Sequence, residues 1–177
     1  MSQQEFTVFA YPISLIADED GRLVVACRDF PELSTDGADT AEAVTNASDA
    51  VEVIIRDRLR NGEVVPLPST RRAGEFVACP EHITAYRTVL SRWVMDVGRG
   101  AQGQLARLLG KGETHVRRLL DPDGGASVQS FVDALRAIGY AAAPSLDLTL
   151  AGRLLGTPDT ERPHAAVTVQ ESGKAGS

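Results

Sequence analysis

Five polar side chains in the second half of this 177-residue chain are of types that bind nucleic acid: Gln102, Thr114, His115, Arg117 and Arg118. An arginine can hold guanine O6 and N7 with two hydrogen bonds, or a phosphate as a charge. Glutamine at a helix start can donate to a phosphate oxygen. In the first half the residues with chemical potential are acids. Asp18, Asp20, Asp29 and Asp49 are the side chains that a two-metal nuclease would use to gather Mg²⁺. Asp18, Asp20, Asp29 and Glu32 equally offer negative charge to a basic partner. The metal reading is the weaker one, because Asp18 and Asp20 fall in a turn and Asp49 on the polar stripe of a helix. His82, His115 and His164 have no ligand spacing and no Ser or Cys nucleophile at hand. Cys27 and Cys79 form no CxxC and are expected as buried reduced thiols rather than zinc ligands. No metal, no cofactor and no enzymatic activity are expected.

Charge divides along the chain. Residues 1–79 carry 7 Lys/Arg against 14 Asp/Glu, whereas residues 80–143 carry 8 against 6. An acidic front and a mildly basic back point to two different partners. Hydrophobic content of 43% supports folded cores. No apolar run approaches the ~20 residues of a membrane span, and residues 1–6 carry no basic stretch of a signal peptide. A cytoplasmic protein that does not meet membranes is expected.

The elements that would position these side chains are legible in the pattern. Phe9, Tyr11, Ile13 and Leu15 alternate with other residues as a strand does, and Pro12 favours an edge or a strand start. Asp18-Glu19-Asp20-Gly21 turns the chain into a second strand, Leu23 to Ala26. Leu33 to Asp36 suits a short third strand. Asp39 with Glu42 reads as a capping box opening a helix. Val44, Ala47, Val51, Ile54, Ile55 and Leu59 share its inner face, and Asp49, Glu52, Arg56 and Arg60 make a solvated stripe. Gly62 ends it. Residues 66–74 read as linker, and Glu75 to Cys79 as a returning strand. This is an α+β unit, a small antiparallel sheet with one helix.

Beyond Pro80 the pattern is helical. Ile83, Tyr86, Leu90, Trp93, Val94 and Val97 share one face. Residues 102–121 fit a helix-turn-helix, with Ala106 at the crossing, Gly110 in the turn, and Leu105, Leu109, Val116 and Leu119 inward. Asp121-Pro122 closes the second helix. Ser127 caps a last helix with Val128, Phe131, Val132, Leu135 and Ile138 inward, ended by Gly139. Leu146, Leu148 and Leu150 suit a short strand, and the chain after Gly156 a mobile tail. Gly98-Arg99-Gly100-Ala101-Gln102-Gly103 matches G-x-G-x-x-G, but a helical rather than a strand pattern precedes it, so nucleotide binding is not expected.

Two sets of residues resemble one family. Tyr11-Pro12-Ile13, Asp20-Gly21, Phe30-Pro31-Glu32-Leu33, Asp36-Gly37, Thr40-Ala41-Glu42-Ala43 and Val65-Pro66-Leu67-Pro68-Ser69 resemble HicB-type antitoxins. Gln104-Leu105-Ala106-Arg107-Leu108-Leu109-Gly110-Lys111 is similar to the helix-turn-helix branch of the same family. The likeness runs in consistent order over residues 9–150, with Glu32-Leu33 where many members have Gly-Cys. It implies a degraded ribonuclease-H-like front half, without nuclease activity, that masks a small basic HicA-type mRNA interferase toxin. It also implies a back half that dimerises and represses its own operon, in a homodimer or tetramer.

The expected layout is therefore a toxin-binding unit over 1–68, a linker and returning strand over 69–79, a DNA-binding and dimerisation unit over 80–150, and a tail over 151–177. Toxin contacts are expected at Asp18, Asp20, Asp29 and Glu32. Contacts to double-stranded operator DNA are expected at Gln102, Thr114, His115, Arg117 and Arg118. The rival readings are a stand-alone regulator whose front half senses a ligand or protein and, last, an active ribonuclease-H-like nuclease.

Overall fold

Alternation in the first strand and a capping box after the third generate the front half. A computed structural model describes residues 6–143 and 168–171. In chain order the elements are β1 (Phe6–Val8), β2 (Tyr11–Ala17), β3 (Leu23–Cys27), β4 (Thr35–Gly37), α1 (Thr40–Arg60) and β5 (Phe76–Ala78). Then come α2 (His82–Val97), α3 (Ala101–Leu109), α4 (Glu113–Leu120), α5 (Val128–Ala137), β6 (Tyr140–Ala143) and β7 (Thr168–Glu171). The main sheet is antiparallel in the order β4-β3-β2-β5, and α1 packs on it. The α+β class expected for the front half is what forms. A second sheet, β1-β7-β6, ties the first described strand to Thr168–Glu171, which lies in the stretch expected as a tail. The strand expected over Leu146 to Leu150 lies outside the described residues.

Pro12 is not at a sheet edge, because β2 is an interior strand. It is the second residue of β2, and pairing with β3 begins one residue later, at Ile13↔Cys27. The missing N–H therefore costs no β2–β3 ladder bond. Tyr11 and Ile13 point to α1 and are fully buried, as are Ala43, Ala47, Val51 and Ile55 of the helix. Val44, Ile54 and Leu59 flank that seam half-buried. Asp39 accepts the Glu42 N–H at 2.9 Å, and Glu42 accepts the Ala38 N–H at 2.6 Å, so the box closes one residue before the cap. At the other end the Gly62 and Glu63 N–H groups donate to Leu59 and Arg58.

The segment expected as a linker is pinned. Tyr11 donates to the Pro66 carbonyl at 3.0 Å, and Arg92 of α2 to that of Val65 at 2.9 Å. Asp29 accepts from both the N–H and the hydroxyl of Ser69. Arg28 pairs with Glu75, which also accepts the Arg72 N–H at 2.6 Å. These bonds lash residues 64–75 to the end of β3 and deliver β5 to the sheet. Cys27 is buried and Cys79 half-buried, both reduced, and burial pushes the Cys79 thiol up to about 11.

In the back half, α2 is surrounded. Residues Thr84 to Leu90 are buried on every side, where the sequence showed one apolar face, because α1, α3, α4 and α5 all pack on α2. Leu105, Val116, Leu119, Phe131 and Leu135 close on Tyr86 and Leu90, and one continuous buried cluster runs through both halves. Val128, expected inward, opens α5 with 40% of its surface exposed. The Tyr86 ring is fully buried, yet its hydroxyl has no partner among the described residues.

Two measurements follow. An unpartnered buried hydroxyl costs more than it returns, so Tyr86→Phe is expected to raise stability by about 1 kcal/mol in urea unfolding; a loss of that size would reveal a partner for the hydroxyl. The Arg28 hydrogen bond holds the Glu75 carboxyl below its usual 4.5. A carboxyl lowered in the folded state stabilises above its ordinary range, and the contribution is lost as pH falls through the folded value. Glu75→Gln should therefore lower Tm at pH 7 and flatten its decline on acidification, and equal acid limbs for the two proteins would contradict this.

Candidate functional site

The segment expected as a helix-turn-helix forms the two helices α3 and α4. Gly110 makes the turn in the left-handed region (φ 61°, ψ 31°), where a Cβ would be strained. Its N–H and that of Lys111 close the end of α3 on Arg107 and Ala106. Leu105, Ala106, Val116 and Leu119 are buried where expected, and Leu109 is half-buried. That anchoring turns Thr114, Arg117 and Arg118 outward, with His115 half-exposed at the margin and Gln102 exposed on the first turn of α3. Arg117 lies 3.7 Å from Glu113, one turn away, with both side chains mostly exposed. Such a pair is worth about 0.5 kcal/mol at most, so Arg117 is available to a phosphate or base. Arg99, Arg107 and Lys111 are exposed as well. Reading one helix face missed them, because they sit before α3, on its outer side and in the turn. The element before Gly98 is helix α2, so the G-x-G-x-x-G stretch lacks its strand.

What holds α4 is Arg87, a residue that no local pattern singles out. Its side chain enters the core from α2 and donates to the carbonyls of Leu119 (3.0 Å), Pro122 (3.3 Å) and Gly124 (3.0 Å). The guanidinium also lies 5.2 Å from the centre of the Phe131 ring. Leu119 belongs to the last turn of α4, where the helix dipole favours a cation. Burial lowers the Arg87 pKa from its ordinary value, and the arginine remains protonated. Gly124 is required there, since a Cβ would stand 2.4 Å from the Arg118 carbonyl oxygen.

The stripe of α1 expected to face solvent is instead the seam to the back half. Glu52 accepts from the Thr84 hydroxyl at 2.6 Å and from the Glu81 N–H at 3.0 Å, placing a carboxylate at the start of α2. Arg56 and Arg60 both pair with Asp123, just beyond α4, at 2.8 and 3.1 Å. Asp49 alone of that stripe is free of this seam and exposed.

The four expected partner-facing acids are not brought together. Asp18 and Asp20 lie in the β2–β3 turn, where Asp18 accepts the N–H groups of Asp20 (3.0 Å) and Arg22 (2.8 Å). Asp29 and Glu32 lie at the other end of β3, a strand's length of about 16 Å away. Asp29 is committed to Ser69, and Glu32 to Arg58 at 2.6 Å. Among the described residues no three His, Cys, Asp or Glu side chains gather as a metal site would require. Among the same residues no helix is long and apolar enough to cross a membrane.

Comparison with known proteins fits this arrangement. Residues 10–80, the four-stranded sheet with α1, match a family described as HicB_like antitoxin of bacterial toxin-antitoxin system. Antitoxin HicB 2 of Photorhabdus laumondii is 31% identical over 130 residues, covering 73% of this chain and 90% of that protein. The chain belongs to the HicB antitoxin family. Antitoxin HicB of Escherichia coli K12 is 27% identical over 130 residues, covering 73% of this chain and 93% of its own length. Coverage of that extent passes residue 80, so the similarity to HicB antitoxins includes part of the helical half.

Arg87 yields the test of this site. Arg87→Met keeps the packing stem and removes the three donors, leaving buried carbonyls unmet, at a cost of about 2–3 kcal/mol. Amide exchange over residues 113–124 should accelerate more than exchange in β2 and β3. Uniform protection would show that α4 is held by packing alone.

Proposed function

We propose that this chain neutralises a HicA-type ribonuclease toxin through its front half and represses its own operon by inserting α4 into operator DNA. The observation that carries the DNA reading is the division of α4. Val116 and Leu119 are fully buried, whereas Thr114, Arg117 and Arg118 on the same two turns face outward. α3 and α4 both start at glycine caps with no side-chain cap bond; the Ala101 and His115 N–H groups are taken by the Gly98 and Gly112 carbonyls. Gln102 and the exposed cations Arg99, Arg107 and Lys111 supply further backbone contacts, with His115 at the edge of the groove. A single copy offers few phosphate contacts, and a homodimer or tetramer reading two half-sites doubles them.

Family membership supports the antitoxin role, since HicB antitoxins pair with a toxin. Neutralisation is a masking event, with charge steering a basic ribonuclease to a front half that carries twice as many acids as bases. It requires no metal, no cofactor and no chemical step, and it is set in the cytoplasm. The alternative is a stand-alone regulator whose front half senses another molecule.

The deciding experiment expresses the small gene beside this one, alone and together with this chain. Growth arrest relieved by co-expression is the expected result, and arrest that persists favours the stand-alone regulator. In the same system, Arg117→Ala should weaken operator binding by about 10- to 100-fold, the value of one arginine–guanine pair, and leave neutralisation intact. Loss of neutralisation with operator binding retained would contradict the division of labour.

A further inference from the structure

The outward face of the main sheet carries an exposed apolar pair where an unpartnered antiparallel sheet should be polar. Ile16 on β2 and Val24 on β3 are directly opposite each other and point away from α1. They are 58% and 41% exposed. Of their neighbours on this face, Ser14 and Ala26 are small, and Asp36, opposite Val24 on β4, is charged. Pro12 and Val77, nearer β5, are buried, so the open ground is confined to the β2–β3 hairpin. Immediately beyond Ile16 the turn carries three consecutive exposed acids, Asp18, Glu19 and Asp20. Asp18 fixes the turn by accepting two backbone N–H groups, so the acids are presented in one conformation. On the far side, Arg22 is spent on Asp36. The charge offered to a partner is therefore negative.

Elsewhere on the front half Val53, Val64 and Leu67 are exposed as well, but on α1 and the segment after it, not paired across neighbouring strands. The inner face of the sheet lies under α1, and the polar stripe of α1 grips the back half through Glu52, Arg56 and Arg60. Asp29 and Glu32 are tied to Ser69 and Arg58. We propose that the toxin docks on the outward face of the β2–β3 hairpin, covering Ile16 and Val24 with apolar side chains and ringing Asp18, Glu19 and Asp20 with Lys and Arg. This rests on the antitoxin reading and names its contact surface. A ribonuclease suits the charge, because a surface that holds RNA phosphates is basic. An apolar centre with a charged rim is the ordinary anatomy of a stable protein interface. The acid rim governs the rate of encounter and the apolar pair the rate of escape.

The test titrates full-length chain against the catalytically disabled ribonuclease encoded beside it, with operator binding and Tm as folding controls. Ile16→Lys with Val24→Lys should weaken the complex by at least 100-fold and leave operator affinity and Tm near the wild-type values. Glu19→Lys with Asp20→Lys, at the tip of an exposed turn, should slow association about tenfold at low salt and much less at high salt. Glu32→Gln, at the far end of β3, should change neither rate. Hydrogen exchange of wild-type complex should show new protection over residues 14–26, a readout that survives if the lysine pair fails to fold. Wild-type affinity in both hairpin variants, or protection confined to other segments, overturns the surface. Failure of wild-type chain to bind the ribonuclease at all overturns the antitoxin reading, and the surface with it.

Discussion

A buried guanidinium organises the back half. Among the described residues Arg87 has no carboxylate in hydrogen-bond contact; its charge is met by three carbonyls and the negative end of α4. A cation taken out of water is tolerable only when its donors are met. That requirement fixes where α4 ends and how the chain leaves it. Gly124 must then approach the Arg118 carbonyl more closely than any side chain allows. The outward face of α4 is thus set by an interaction on its inward side, from α2.

The same exit is held from the front half. Asp123 accepts from Arg56 and Arg60, while Glu52 sits at the start of α2. Individually these ion pairs are exposed and worth little. Their value is geometric, because they sit beside a buried cluster shared by both halves and fix its rotation. The chain is better described as two halves on one core than as two beads on a linker. The stretch between them is itself hydrogen-bonded along residues 64–75.

This arrangement allocates surfaces. One side of the sheet is spent on α1, and part of α1 on the back half; among the surfaces left open are the outer hairpin face and the outer face of α3 and α4. The first is acidic with an apolar centre, and the second is cationic. Opposite charge is thus held on separate faces of one chain, each with its own field.

Much of this was legible in the sequence. Alternation at Tyr11 and Ile13, the Asp39–Glu42 cap, Gly62, the Gly110 turn and the Ser127 cap are signals within a few residues of each other, and all took their expected form. Those features are local: hydrogen bonds between near neighbours and periodicities of 2 and 3.6 residues determine them. The sequence also located the outward positions of α4, because burying Val116 and Leu119 leaves the opposite face no choice. It did not show that Glu52, Arg56 and Arg60 of the α1 stripe, and the acids at 29 and 32, have partners within the chain. Their partners lie 26 to 67 residues away, and nothing in a local pattern distinguishes a solvated charge from a paired one. Arg87 was invisible for the same reason, since a lone arginine on a helix is exposed by default. The sequence determined the elements and their inner faces; only the tertiary structure decided which charges remained for partners, because pairing at long range depends on where the packed elements come to rest.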